Sequence, residues 1–272
     1  MNDEFGDRMK ELESAEAGRR LMPLLPAIAR LDGKCFSNFT RGLVRPFDAL
    51  FSECMVRTTK HLVEETTACC GYTQSDEITL GWLSDSHKSQ IWFDGKIQKM
   101  VSVLAAMASV RFNQLVSVLL PAKAGLSPVF DCRVWNVPND VEGANCFLWR
   151  EHDATKNSIS SAAQCHYSHK ELMNKNTKEM QELLFAKGVN WNDYPDWCKR
   201  GTYIQRRTVQ RKFTVTELGQ LPPLHEARKN PDLEVERTEY VELKMPKFGS
   251  VVNRADVIFR GAEPIVATEN TT

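Results

Sequence analysis

The sequence predicts an α+β fold in which strands and helices follow the order β-α-β-β-α-β, with a helical and β-rich extension after it. Two observations carry this. Short apolar runs bounded by polar, Gly-containing segments alternate with two stretches of helical periodicity, and the texture changes after Pro138. The first twenty residues are polar and charged and predict a short solvated helix. The apolar run from Leu24 through Ile28 to Arg30-Leu31-Asp32-Gly33 predicts a buried strand, and Phe47, Leu50, Phe51, Cys54, Thr58 and Leu62 then fall on one helical face continuing to about Glu65. Residues 68–73 and 78–83 predict two strands joined by Gln74-Ser75-Asp76-Glu77. Ile97, Val101, Leu104, Ala108, Phe112, Leu115 and Leu119 mark a second helix ended by Pro121, and residues 129–137 alternate as a fourth strand. Residues 141–184 predict mainly helix, followed by a polar loop over 188–195. Extended segments follow over 199–212 and 237–245, with Pro222, Pro223 and Pro231 between them. The division is therefore residues 1–138, residues 139–260, and a tail over 261–272 expected to fray.

Composition narrows the function. The 272 residues are 42% hydrophobic and 26% charged, and 35 Lys and Arg balance 35 Asp and Glu. No global field recruits a polyanion, so any such partner must meet a local patch. The long apolar window 100–120 carries Arg111, Asn113 and Gln114 at its middle. A charge at the bilayer centre costs about 2.5–3.5 kcal/mol, so the window predicts a core helix, not a membrane span. With no apolar signal region at the start, the expectation is a cytoplasmic protein with free thiols. The eight cysteines include no CxxC. Cys165, His166, His169 and Cys198 offer zinc-ligand chemistry, but nothing fixes the tetrahedral set. Asn38-Phe39-Thr40 fits a glycosylation acceptor that such a location leaves unused.

The β-α-β-β-α-β order is the split βαβ, or ferredoxin-like, arrangement, whose first and third strands are antiparallel neighbours at the sheet centre. Asp32 at the exit of the first strand and Asp76 in the second-to-third turn, 44 residues apart, then share one sheet edge. Paired carboxylates suit a hard divalent cation, and Gly33 permits close backbone approach. The same two residues also fit a plain reading as turn carboxylates. There is no GxGxxG and no Walker A sequence, which excludes the Rossmann and P-loop readings.

The local sequences are more specific. Arg30-Leu31-Asp32-Gly33-Lys34-Cys35-Phe36-Ser37-Asn38-Phe39, with Arg45-Pro46-Phe47-Asp48 after it, resembles the first motif of the tRNA-His guanylyltransferase family. Gly71-Tyr72-Thr73-Gln74-Ser75-Asp76-Glu77-Ile78 is similar to the second. Phe130-Asp131-Cys132-Arg133-Val134, Trp149-Arg150-x-x-Asp153, Asn190-Trp191-Asn192-Asp193 and Lys199-Arg200-Gly201-Thr202 match further landmarks in order, from about residue 5 to residue 210. The resemblance implies a polymerase-like palm that adds nucleotides to the 5′ end of tRNA in the 3′-to-5′ direction with two Mg²⁺ ions, GTP or another NTP, and ATP. It implies that Asp32, Gly33 (through its carbonyl) and Asp76 hold the metals, with Glu77 beside them. The backbone of Gly33, Lys34, Cys35, Phe36 and Ser37 would hold the triphosphate with Ser75 and Arg45, and Asn157 keeps one of the family's asparagines. Arg30 would meet an activating nucleotide or an acidic neighbour. A homo-tetramer is implied as well.

One departure stands out. Eukaryotic members carry His-Ile-Asn-Asn where this chain has Thr155-Lys156-Asn157-Ser158, so Thr155 replaces the histidine. That favours the guanylyltransferase-like branch, which repairs 5′-truncated RNA against a template. Lys199, Arg200, Arg206, Arg207, Arg211 and Lys212 place six cations in fourteen residues with no acid among them, a candidate RNA phosphate track, with Tyr203 available to stack on a base. His166 and His169 could move a proton or hold the 5′ phosphate, or be structural. A nucleotide cyclase of the same architecture and a non-catalytic RNA-binding module are the alternatives. The Trp149-Arg150 and Lys199-Arg200-Gly201 landmarks stand against the first, and the carboxylate pair against the second.

Overall fold

The computed structural model describes residues 3–230 and 232–267. In chain order these form α1 (Glu4–Ala17), β1 (Ala27–Gly33), α2 (Phe36–Phe39), α3 (Ala49–Thr66), β2 (Cys70–Gln74), β3 (Glu77–Trp82), α4 (Ile97–Leu119), β4 (Phe130–Asn136) and α5 (Asp140–Ala163). The rest of the chain adds α6 (His169–Leu172), α7 (Thr177–Ala186), α8 (Asp196–Arg200), β5 (Thr202–Lys212), α9 (Val215–Gln220), α10 (Glu226–Lys229), β6 (Glu234–Leu243) and α11 (Arg254–Phe259). Six strands make one sheet in the order β4-β1-β3-β2-β5-β6, every neighbour antiparallel. Strands from both sides of Pro138 therefore share a single sheet.

The two-residue period of β1 sorts its side chains between two cores. Ala27, Ala29 and Leu31 face α3 and α4, packing with Leu62, Val63, Leu104 and Phe112. Ile28 faces the other way and packs with Phe147 of α5 and with Phe248, Val257 and Phe259. Arg30 and Asp32, in step with Ile28, are on this second face. Helix α3 starts where the Asp48 carboxylate caps the Phe51 N–H, and its buried Thr58, Thr59 and Thr66 satisfy their hydroxyls on carbonyls four residues back. In α4 two of the three polar residues at the middle of the apolar window find places without entering the core, while the Arg111 Nε is buried without a hydrogen-bond partner among the described residues. Asn113 bonds the Ser109 and Pro128 carbonyls and Gln114 is exposed, while Leu104, Ala108 and Phe112 are fully buried.

Several boundaries differ from the sequence reading. The β2–β3 strands extend inward until only Ser75 and Asp76 form the turn. Lys199 and Arg200 are not extended. They end α8, and Gly201, at φ +77°, turns the chain into β5. A Cβ at Gly201 would meet the Thr73 carbonyl oxygen at 2.5 Å, so glycine alone fits this approach to β2. Within the tail expected to fray, Val266 bridges to Val251. Residues 268–272 and Pro231 lie outside the described residues.

Candidate active site

The candidate site is built where β1 leaves the sheet. Asp32 is in register with Glu77 on β3 and Asp131 on β4, and the Gly33 N–H donates to the Asp76 carbonyl at 3.1 Å. This bond ties the hairpin tip to the end of β1. Gly33 is required by packing as well, since a Cβ there would overlap the Phe36 ring at 2.3 Å. That ring is 3% exposed and sits 5.0–6.2 Å, centroid to centroid, from Phe39, Phe51, Phe112 and Phe130. Phe36 thus anchors its loop through the side chain and offers the site only backbone. Cys35 is exposed and left-handed at φ +57°, and among the described residues the amides of Cys35, Phe36 and Ser37 donate to no other protein group. The Lys34 amide is spent on the Val129 carbonyl, although its side chain is exposed.

The Asp76 carboxyl is pushed up from 3.8 to about 6, chiefly by burial and further by the negative charge of Asp32, against the opposing pull of its own backbone N–H and the Ser75 hydroxyl. Two carboxylates held together short of positive charge are a fitting anchor for a hard cation. Mg²⁺ is typically bound through one or two carboxylates with water and substrate phosphates completing its shell. Among the described residues no group of three or more His, Cys, Asp or Glu gathers anywhere, which leaves zinc at Cys165, His166, His169 and Cys198 without a site. His166 and His169 are exposed.

Glu77 is occupied. Arg150 on α5 donates to it at 2.8 and 3.2 Å and reaches Asp153 at 2.7 Å, while Arg30 lies 3.3 Å away in charge contact, without an aligned hydrogen bond. Arg30 thus pairs with an acid. These contacts brace the hairpin against α5 and orient Glu77 away from free solvent. Arg150, 7% exposed, is the residue that sequence reasoning recorded only as part of a motif.

Beside the hairpin opens a cleft of 460 Å³. Ser37, Arg45 and Ser75 line it, with Phe47, Ser161 and Trp197. Asn157 is exposed on α5, one turn before Ser161, and is not part of this lining. Trp197 and Tyr194 meet Phe47 edge-on, an aromatic wall the sequence reading did not single out, although Trp191, Tyr194 and Trp197 recur every three residues.

On β5, Arg206 and Lys212 point to one face of the strand and Arg207 and Arg211 to the other, while Lys199 and Arg200 belong to α8. Asp196 holds both Lys199 (3.4 Å) and Arg200 (2.8 Å), Glu263 holds Arg207, Glu217 and Glu239 hold Arg211, and Asp232 holds Lys212 at 2.6 Å. Of these six, only Arg206 has no ion pair among the described residues. Tyr203 cannot stack on a base: it is 1% exposed and its hydroxyl donates to Glu151. Its position on the buried stretch of β5, opposite Tyr72, is the reason.

Residues 6–138 match the family model described as tRNAHis guanylyltransferase. A bacterial tRNA(His) guanylyltransferase-like protein solved in complex with GTP is 32% identical, with 91% of this chain and 94% of that one covered and a TM-score of 0.70. A bacterial tRNA(His) guanylyltransferase-like protein in complex with ATP is 40% identical over 74% of this chain and 88% of that one, at a TM-score of 0.69. The chain belongs to the tRNA-His guanylyltransferase family. It is a nucleotidyltransferase. The tRNA(His) guanylyltransferase of Saccharomyces cerevisiae is 24% identical over 76% of this chain and 91% of that protein. Within the family frame, Asp32, Gly33, Asp76 and Glu77 lie inside the matched segment, whereas Arg150, Asn157 and Arg206 lie beyond it.

Proposed function

We propose that this chain adds nucleotides to the 5′ end of tRNA in the 3′-to-5′ direction, with a preference for templated repair of truncated ends over addition of a single guanosine to tRNA-His. The observation that carries the proposal is the Asp32–Asp76 carboxylate pair beside a cleft lined by Ser37, Arg45 and Ser75. Relatives solved with GTP and with ATP support a nucleoside triphosphate as substrate. In the first step a phosphate oxygen of the RNA 5′-monophosphate attacks the α-phosphorus of ATP, and pyrophosphate leaves. In the second, the 3′-hydroxyl of the incoming NTP attacks the activated 5′ phosphorus, AMP leaves, and the hydroxyl proton passes to solvent or a carboxylate. Arg45 and the amides of Cys35, Phe36 and Ser37 orient the triphosphate, and the Arg150–Glu77 brace keeps the hairpin still while the ends are brought together. Asp32 and Asp76 would hold Mg²⁺, which supplies a lowered hydroxyl pKa and charge neutralisation at the leaving phosphate. The palm designation of the sheet and assembly as a homo-tetramer belong to the same proposal; light scattering on the purified chain tests the latter.

The template preference rests on Thr155, whose hydroxyl donates to the Glu151 carbonyl of its own helix instead of reaching the site. Labelled NTPs are offered to a tRNA lacking its first nucleotide, with each of the four bases opposite. The matching NTP should be added in all four cases, and Asp32→Ala and Asp76→Ala should each abolish addition while retaining the wild-type circular dichroism. Exclusive GTP addition regardless of template would restore the tRNA-His-specific reading, and activity in either alanine variant would remove the metal assignment.

A further inference from the structure

Trp149 stands out among the tryptophans. Trp82 is buried to 2% exposure, but Trp149 is 53% exposed, on a helix whose core face is supplied by Ala144, Phe147, Glu151 and Ala154. Its ring is held by two cations: the Arg150 guanidinium carbon lies 4.3 Å from the centroid and that of Arg30 lies 5.9 Å away. Both arginines are in turn fixed by Glu77, so the indole is an oriented surface and not a loose side chain. Arg30 and Asp32 share one face of β1, about 6.6 Å apart along the strand. Across from Arg30 on β4, Arg133 brings its guanidinium to the same face, 59% exposed and in a solvent-exposed ion pair with Asp131 at 3.6 Å.

Trp149, Arg30 and Arg133 form a shelf, and the shelf and the cleft flank the hairpin. The cleft lies toward β2, α3 and α8, through Thr73, Met55 and Trp197; the shelf lies toward β1 and β4, through Arg30 and Arg133. A nucleotidyl transfer needs two nucleotides to meet at the carboxylates, and the fold offers a place on each side.

We propose that Trp149 is the stacking platform for the terminal nucleobase at the RNA 5′ end, with Arg133 placed to meet the adjoining phosphate. The proposal rests on the 5′-end activity given above, which assigns the incoming triphosphate to the cleft and leaves the acceptor the other side. An indole presents a π-face to any base, so the platform is indifferent to sequence, as an acceptor site for varied 5′ ends requires.

The test uses the full chain and a tRNA lacking its first nucleotide, with 2-aminopurine as its new 5′-terminal base. Wild-type protein should quench the 2-aminopurine on binding, and Trp149→Ala should abolish that quenching and raise the KM for RNA about 5- to 150-fold. The KM for the incoming NTP should stay within about twofold, and Trp149→Phe should keep the RNA KM within about fivefold of wild type. A thermal melt confirms that each variant is folded. Unchanged RNA KM and quenching in Trp149→Ala overturn the platform while leaving the 5′-end activity standing. A KM effect confined to the NTP overturns it too, by assigning the shelf to the incoming nucleotide. A wild-type chain that extends no RNA end overturns the activity and the platform together.

Discussion

At Gly33 the constraints of chemistry and packing coincide. The residue must let its amide reach the Asp76 carbonyl and must leave room for a phenylalanine ring whose four aromatic neighbours hold it in place. Gly33→Ala therefore cannot be absorbed by rotating Phe36. It should cost about 1–3 kcal/mol in urea denaturation and displace the Cys35–Ser37 amides enough to cut nucleotide addition severely. A variant with wild-type stability and rate would show that the loop relaxes freely. Asp76 makes a second prediction, with a definite sign. Its folded-state pKa, about 6, is raised above 3.8, so the stability linked to it is full below the unfolded value and is lost as pH rises through about 6. Cation binding requires the ionised form and runs the other way. The rise in melting temperature given by Mg²⁺ should be largest above pH 7 and shrink as pH falls below about 6, and Asp76→Asn should remove that dependence. Asp32, Gly33 and Asp76 were legible in sequence because the motif is contiguous on each strand and the element order brings the two pieces together. The Phe36 cluster was not, since its members are spread from Phe36 to Phe130 with no common period.

Elements decide what a charge can do. Six cations between 199 and 212 look like one track when counted along the chain, but the strand sends Arg206 and Arg207 to opposite faces, and acids from α8, α9, the loop before β6, β6 and the C-terminal segment meet five of the six. Those acids are up to 56 residues away, beyond the reach of a composition window. The consequence is a split prediction. Arg206→Glu should weaken tRNA binding and lower the slope of log K against log salt by about 0.7–0.9, the loss of one phosphate contact. Arg207→Glu sets a carboxylate against Glu263 and should register mainly as reduced thermal stability; equal salt slopes for the two variants would return both to one track. The α5–hairpin brace follows the same logic. Arg150→Lys replaces a planar fork that bonds Glu77 twice and Asp153 once with a single ammonium, so the conservative change should still slow nucleotide addition at unchanged NTP KM.

For the molecule as a whole, the decisive feature is how the C-terminal segment closes over the second core. Phe248, Val251, Val257, Ile258 and Phe259 pack with Ile28, Tyr72 and Phe147, so residues near the end of the described chain complete the sheet face that carries Arg30 and Asp32. The alternation of strands and helices made the first four strands and two long helices readable, but this segment has no period: a 3-10 turn, a short helix and a β-bridge are assembled by contacts alone. Glu151 fastens it. One oxygen accepts the Phe248 N–H at 2.8 Å and the other accepts the Tyr203 hydroxyl at 3.1 Å, and burial raises the pKa of the carboxyl above its ordinary value. Glu151→Gln keeps an acceptor for Phe248 and turns the Tyr203 contact around, its amide donating to the hydroxyl oxygen, while relieving the cost of a buried charge. Glu151→Leu leaves the N–H and the hydroxyl without partners, at about 1–3 kcal/mol each. In urea denaturation at pH 7 the glutamine variant should therefore fall within about 1 kcal/mol of wild type and the leucine variant about 2–5 kcal/mol below it. The wild-type protein should lose stability relative to the glutamine variant as pH rises through the raised carboxyl pKa, because only the wild type must then ionise in the core. Because Glu151 follows Trp149 and Arg150 on the same turn of α5, the leucine variant should also loosen the hairpin brace and slow nucleotide addition. A leucine variant as stable as the glutamine one would mean that the segment closes by apolar packing and that Glu151 is not its fastening.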